Sequence, residues 1–179
     1  MSILAVIITV ILVLVALFFI VALFTKKAYA VERSVVINRP QQEVFEFIRY
    51  LKNQDQYSVW NNIDPGMKKT YQGTDGNPGF MYAWDSNNKK AGKGEQEIVS
   101  VEPNKQLNMR IHFIKPFEGL ADAYMRSEMA GQGQTRVSWG LSSTMKYPMN
   151  IMLAFINMDT MLGKDLATSL QQLKTILEK

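Results

Sequence analysis

Residues 148–179 read PMNIMLAFINMDTMLGKDLATSLQQLKTILEK, and the spacing of their apolar positions decides the fold. Phe155, Met158, Leu162, Leu166, Leu170, Leu173 and Leu177 follow one another at intervals of three and four. That spacing draws one apolar stripe along a helix of about thirty residues. From Gly163 onward the other faces carry Lys164, Asp165, Gln171, Gln172, Lys174 and Glu178, so this half lies on a surface. Before Gly163 the stretch is apolar almost all round, through Met149, Ile151, Met152, Leu153, Phe155, Ile156, Met158 and Met161. A helix of that kind is expected to be enclosed by other elements.

The enclosing elements lie upstream. Between residues 66 and 145 the hydrophobic period becomes two, with strands expected at 66–72, 79–85, 93–101, 106–114, 120–130 and 134–145. Short clusters rich in Gly, Pro, Asn and Asp separate them, which favours antiparallel hairpins and leaves no room for crossover helices. Ahead of this meander, Val31 to Asn38 alternates as a first strand, and Pro40 opens an amphipathic helix carrying Val44, Phe47, Ile48 and Leu51. A further helical turn is expected over Asn53 to Trp60. The expected fold is α+β: a curved antiparallel sheet of about seven strands around the long C-terminal helix.

Ile3 to Phe24 is an appendage of 22 uncharged residues in which only Thr9 is polar. At 1.5 Å per residue it reaches about 33 Å, enough to cross the hydrocarbon core of a bilayer. A cleavable secretory signal is the alternative, and Ala28-Tyr29-Ala30 resembles its cleavage site. Against it, no Lys or Arg precedes the run, which is also longer than a signal core of roughly 7–15 residues. The expected organisation is a single-pass anchor with its flank at 1–27, a tether at 28–30 and a ligand-binding domain at 31–179. Lys26 and Lys27 after the span place that domain on the cytoplasmic side. The chain has 20 Lys and Arg against 16 Asp and Glu, and without the two lysines at the span the count is 18 against 16. No basic run or basic helix face appears, so nucleic acid is not an expected partner. There is no Cys, hence neither disulfides nor thiolate metal sites.

The order of strand, Pro-initiated helical pair ending at Trp60, meander and long last helix resembles the helix-grip fold of the SRPBCC superfamily, the START-related and polyketide cyclase-like proteins. The resemblance is carried by residues 39–47 (RPQQEVFEF), 92–98 (GKGEQEI), 113–117 (FIKPF) and the 163–178 segment of the last helix. It covers 31–179 and implies a hollow between sheet and helix. It also implies that the hollow opens near the turns at 87–90 and 115–118 and near 145–149. Lys89, Lys90, Lys115 and Lys146 would there share one rim with Phe117 and Tyr147, a mixture suited to a lipid surface.

Strand alternation selects the residues that would face the hollow: Phe80, Tyr82 and Trp84; Leu107, Met109, Ile111 and Phe113; Ala123, Met125 and Met129; Val137, Trp139, Leu141 and Met145. The candidate binding set is Trp60, Tyr82, Trp84, Met109, Ile111, Phe113, Met125 and Trp139, faced by Met152, Phe155 and Met158 from the last helix. Eight of the eleven methionines fall between 109 and 161, and Met recurs on adaptable apolar surfaces. Such a lining suits a hydrophobic small molecule, lipid-like or polycyclic. The competing reading is a filled core with Met in its gaps.

Catalytic patterns are missing: there is no G-x-S-x-G, H-E-x-x-H or P-loop. His112, the one histidine, falls on the outer face beside Asn108 and Arg110, and alone it cannot make a zinc site. Glu95 and Glu97 share a strand face and are expected in solvent. The glycines of Gly92-Lys-Gly-Glu precede a strand, not a helix, and so let a strand bend instead of cradling phosphate. No cofactor is expected. Binding of a hydrophobic molecule at a membrane is the leading expectation. A cyclase, dehydratase or hydrolase on such a ligand, or a chaperone-activator type of interaction module, stand as alternatives.

Overall fold

Ser2 accepts a hydrogen bond from the backbone N–H of Ala5 and so caps the first helix, α1 (Ile3–Phe24). Residues 2–179 are described by the computed structural model. By length and composition α1 suffices to cross a membrane, and Ala22 is its only buried residue. Strand β1 begins at Ala28 and runs to Ile37. Residues 28–30, expected as a tether, therefore belong to the sheet. Ala28 pairs with Thr144, and the Met145 N–H donates to the Lys27 carbonyl at 2.7 Å. Only residues 25–27 separate helix from strand.

Helix α2 (Gln41–Ile48) follows Pro40 and buries Val44, Phe45 and Ile48. A short helical turn, α3 (Gln54–Tyr57), lies between two 3-10 turns at residues 51–53 and 60–62. The meander then gives β2 (Lys68–Gln72), β3 (Met81–Asp85), β4 (Lys93–Glu102), β5 (Gln106–Lys115), β6 (Gly119–Gly131) and β7 (Gln134–Thr144). All pairings are antiparallel in the order β1-β7-β6-β5-β4-β3-β2, so only β1 joins out of sequence. The expected register holds: Phe80, Tyr82, Leu107, Met109, Met125, Val137 and Trp139 are buried on one face. Met129 departs from it. It is 80% exposed, at the end of β6 where the strand is exposed on both faces and its pairing with β7 shifts register.

Gly94 explains the bend in β4, where the ladder to β5 shifts register between Lys93 and Gly94. A Cβ on Gly94 would lie 2.5 Å from Cζ2 of Trp84 and 2.6 Å from the His112 carbonyl oxygen. The missing side chain is therefore the space into which Trp84 packs.

The expected thirty-residue helix is broken. A 3-10 turn (residues 149–151) leads into α4 (Met152–Phe155), Ile156 is extended, and α5 (Met158–Leu177) starts afresh. Asn157 causes the restart: its side chain accepts from the Thr160 N–H at 3.1 Å, and Asp159 supplies an acidic group in the first turn. Capping thus overrides a continuous apolar period. The apolar segment before Gly163 is also not enclosed, since Phe155 is 81% exposed and Met149 and Met161 are about half exposed. The enclosed half is the one that carries charge on its far side. Leu166, Leu170 and Leu173 are buried against the sheet, and each contributes about 2 kcal/mol by burial. Polar bonds fix α5 on β1: Arg33 meets both carboxylate oxygens of Asp159 at 2.9 Å, and Lys174 reaches the Val36 carbonyl at 2.7 Å. Gly163 makes the first of these possible, because a Cβ there would lie 2.1 Å from the Arg33 guanidinium.

Candidate functional site

Between the sheet and α5 the side chains leave a cavity of about 250 Å³. Trp60, Tyr82, Trp84, Ile111, Phe113 and Trp139 of the candidate set line it. All three tryptophans of the chain are among them. Trp60 meets Trp139 edge-on with ring centres 5.7 Å apart, while Tyr82 stacks on Trp84 at the same separation. The Trp84 indole N–H donates to the Ala91 carbonyl at 3.0 Å and so folds the β3–β4 hairpin over the cavity. These rings pack on one another, and Trp84 is tied to backbone as well.

The other five candidates lie elsewhere. Met109 and Met125 are buried but fill the core beside the cavity: the Gln96 amide donates to the Met109 sulfur at 2.9 Å, and the Tyr57 hydroxyl to the Met125 sulfur at 3.4 Å. Met152, Phe155 and Met158 do not line the cavity, because the helix break turns their segment away from it. From the last helix only Leu162 reaches the cavity.

Sequence periodicity overlooks the polar wall. Gln54, Ser58 and Asn61 come from the irregular stretch around α3, where no period points a side chain inward, and Gln96 alternates inward on β4. Gln54 and Ser58 are each 1% exposed, so they form the closed end together with Tyr82 and Trp139. At the other end lie exposed Lys90 and half-buried Tyr29, Ile63, Ala91, Phe113 and Leu162, which mark the mouth.

The titratable groups in the lining are Tyr29, Tyr82 and Lys90. Burial raises both phenol pKa values, that of Tyr82 far above its ordinary range, so both remain neutral hydroxyl donors at physiological pH. Glu95 and His112 lie on the outer face, as expected, with Nδ1 of the imidazole 3.2 Å from the carboxylate. Glu97 faces outward as well, and Asp85 pairs with Lys93 at 2.8 Å outside the cavity. A second, shallow depression runs along the outer side of α5 among Gln56, Thr168, Gln171, Gln172 and Thr175. These residues are exposed, and no wall encloses them.

A curved antiparallel sheet gripping a C-terminal helix, with a hollow between them, defines a helix-grip protein of the SRPBCC type. The chain belongs to the polyketide cyclase / dehydrase and lipid transport family, whose profile matches residues 29–178. No curated protein matches it in sequence. Among solved structures it is similar to a protein from Nitrosospira multiformis (TM-score 0.60, 13% identity, covering 83% of this chain and 96% of that one). It is also similar to norcoclaurine synthase from Thalictrum flavum in complex with dopamine and hydroxybenzaldehyde (0.60, 10% identity, 86% and 88%). A third likeness is to the di-domain ARO/CYC StfQ from the steffimycin biosynthetic pathway (0.63, 8% identity, 85% and 51%). At these identities the likeness is one of fold.

Proposed function

We propose that the protein is a membrane-anchored binder of a hydrophobic small molecule, held between the sheet and α5. The observation that carries this reading is the aromatic cavity itself, walled by three tryptophans and closed at its inner end by polar side chains. Its volume of about 250 Å³ lies just below the roughly 300–1,000 Å³ of drug-sized ligand sites. A compact ring system or a single acyl chain suits it, and a two-chain lipid does not. Trp60, Trp84 and Trp139, with Ile111 and Phe113, supply the apolar contacts, while Gln54, Ser58, Asn61 and Tyr82 set the orientation. Residues 1–27 serve as the anchor and its flank, and the binding domain lies on the cytoplasmic side.

Energy transfer from the tryptophans to cis-parinaric acid, an apolar single-chain probe, tests the site. The full chain in nanodiscs should show saturable transfer. Ile111→Phe, which places a ring into the cavity, should weaken the probe's apparent affinity at least about tenfold, the equivalent of 1.4 kcal/mol. Equal transfer in both proteins would mean that the probe reports the bilayer alone.

A second reading, a cyclase acting on such a ligand, is favoured by the neutral hydroxyls of Tyr29 and Tyr82, which can donate to a developing oxyanion. It is distinguished by product: a cyclase changes the mass or absorbance of an added ligand, and a binder returns it unaltered.

A further inference from the structure

The cavity mouth and the membrane helix occupy the same end of the sheet. Tyr29 is the second residue of β1, Phe113 lies near the end of β5, and Lys90 and Ala91 form the β3–β4 hairpin. These mouth residues sit where β1 leaves α1. The same end carries exposed apolar side chains: Phe117 (66%), Leu120 (58%), Tyr147 (42%), Met149 (46%) and Phe155 (81%). Around them stand Lys26, Lys27, Lys89, Lys90, Lys115 and Lys146, none of which forms an ion pair with a described residue.

Asn150 decides how this end is held. It is fully buried, and its side-chain amide donates to the Ala22 carbonyl at 2.7 Å and to the Thr25 carbonyl at 3.0 Å. The last carbonyls of a helix have no partner within it, so this side chain supplies α1 with a donor from the domain. Phe19 and Tyr147 add a ring contact at 6.1 Å. Phe155 is five residues beyond the clamp, within about 8 Å along a helix. Domain and α1 are thus joined by side-chain contacts as well as by the chain, and a tether alone would have left the direction of the mouth open.

We propose that the protein holds its cavity mouth against the bilayer surface, with Phe117, Leu120, Tyr147, Met149 and Phe155 seated at the lipid interface and Asn150 fixing the pose. This rests on the reading of α1 as a membrane anchor. Aromatic and apolar side chains ringed by unpaired lysines match an anionic interface, where each cation near the surface is attracted. Bound this way, the cavity exchanges its ligand with the membrane and not with water.

The chain contains no cysteine, so single spin labels report one position each. Leu14→Cys, Phe117→Cys, Phe155→Cys and Met129→Cys, each in the full chain, are labelled and reconstituted into phosphatidylcholine/phosphatidylglycerol vesicles. Their accessibility to oxygen is compared with that to a water-soluble nickel chelate. Positions 117 and 155 should shift toward oxygen relative to the water-exposed position 129, and position 14 should report the bilayer core. Lipid at 14 with 117 and 155 as aqueous as 129 overturns the docking and leaves the anchor standing. An aqueous reading at 14 overturns both. Spin–spin broadening at 117 or 155, meaning that a second copy covers the face, also overturns it. Asn150→Ala should move the label at 155 toward water without changing that at 14, and no movement would remove the clamp. The label pattern in the otherwise unaltered chain decides the docking whether or not Asn150→Ala folds.

Discussion

His112 shows how far a single residue can be placed by alternation. Its strand puts Met109 inward and Arg110 outward, and the imidazole follows Arg110 to the outer face, where it meets Glu95 and, at 3.6 Å, Glu118. The carboxylate partners were not legible, because they come from a neighbouring strand and a turn whose register the sequence alone leaves open. A half-exposed pair of this kind contributes at most about 1 kcal/mol. His112→Ala should therefore change stability by less than about 1 kcal/mol in urea titrations and leave uptake of an apolar probe unaltered. A larger loss would mean that the imidazole serves the cavity. Inward-facing Met109 and Met125 were legible as apolar and central, while the choice between cavity wall and core filler stayed open. Whether a buried Met faces a void or a neighbour's amide depends on Gln96 and Tyr57, which approach from other elements.

At the scale of the element, the strands are the most legible part, since a period of two survives wherever one face is buried. The last helix is the least faithful to its pattern. Its stripe continues across Ile156 and Asn157, but the cap at Asn157 offers the backbone a competing arrangement and takes it. The polar cavity wall was hidden for a related reason: Gln54, Ser58 and Asn61 lie on single turns too short to have a period. The restart of α5 is pinned to β1 by Arg33 and Asp159. Hydrogen bonding from the guanidinium holds the Asp159 carboxyl below its ordinary pKa. A carboxyl depressed in the folded state contributes stability above its unfolded pKa, about 3.9, and loses it as pH falls through the folded value. Stability measured below pH 4 should consequently fall less steeply in Asp159→Asn than in the wild type. Hydrogen exchange at residues 160–162 should also be faster in that variant at neutral pH, because the first turn of α5 loses its tie to the sheet. Parallel pH profiles would show that the pair has no part in holding α5.

At the scale of the whole molecule, sheet, helix and hollow form one unit whose mouth, cationic rim and apolar helix α1 converge at one end. Fold class and the apolar α1 were legible because both rest on long periodic or uncharged runs. The hydrogen-bonded junction between them was not, since one asparagine side chain makes it and Asn150 carries no periodic signal. The central claim, that the hollow takes up a compact apolar molecule, is tested most directly by native mass spectrometry of the full chain released from detergent. The expected spectrum contains the protein with one additional small mass, displaced by excess cis-parinaric acid and absent from Ile111→Phe. A spectrum of bare protein that parinaric acid leaves unchanged, or an adduct retained equally by Ile111→Phe, would contradict it.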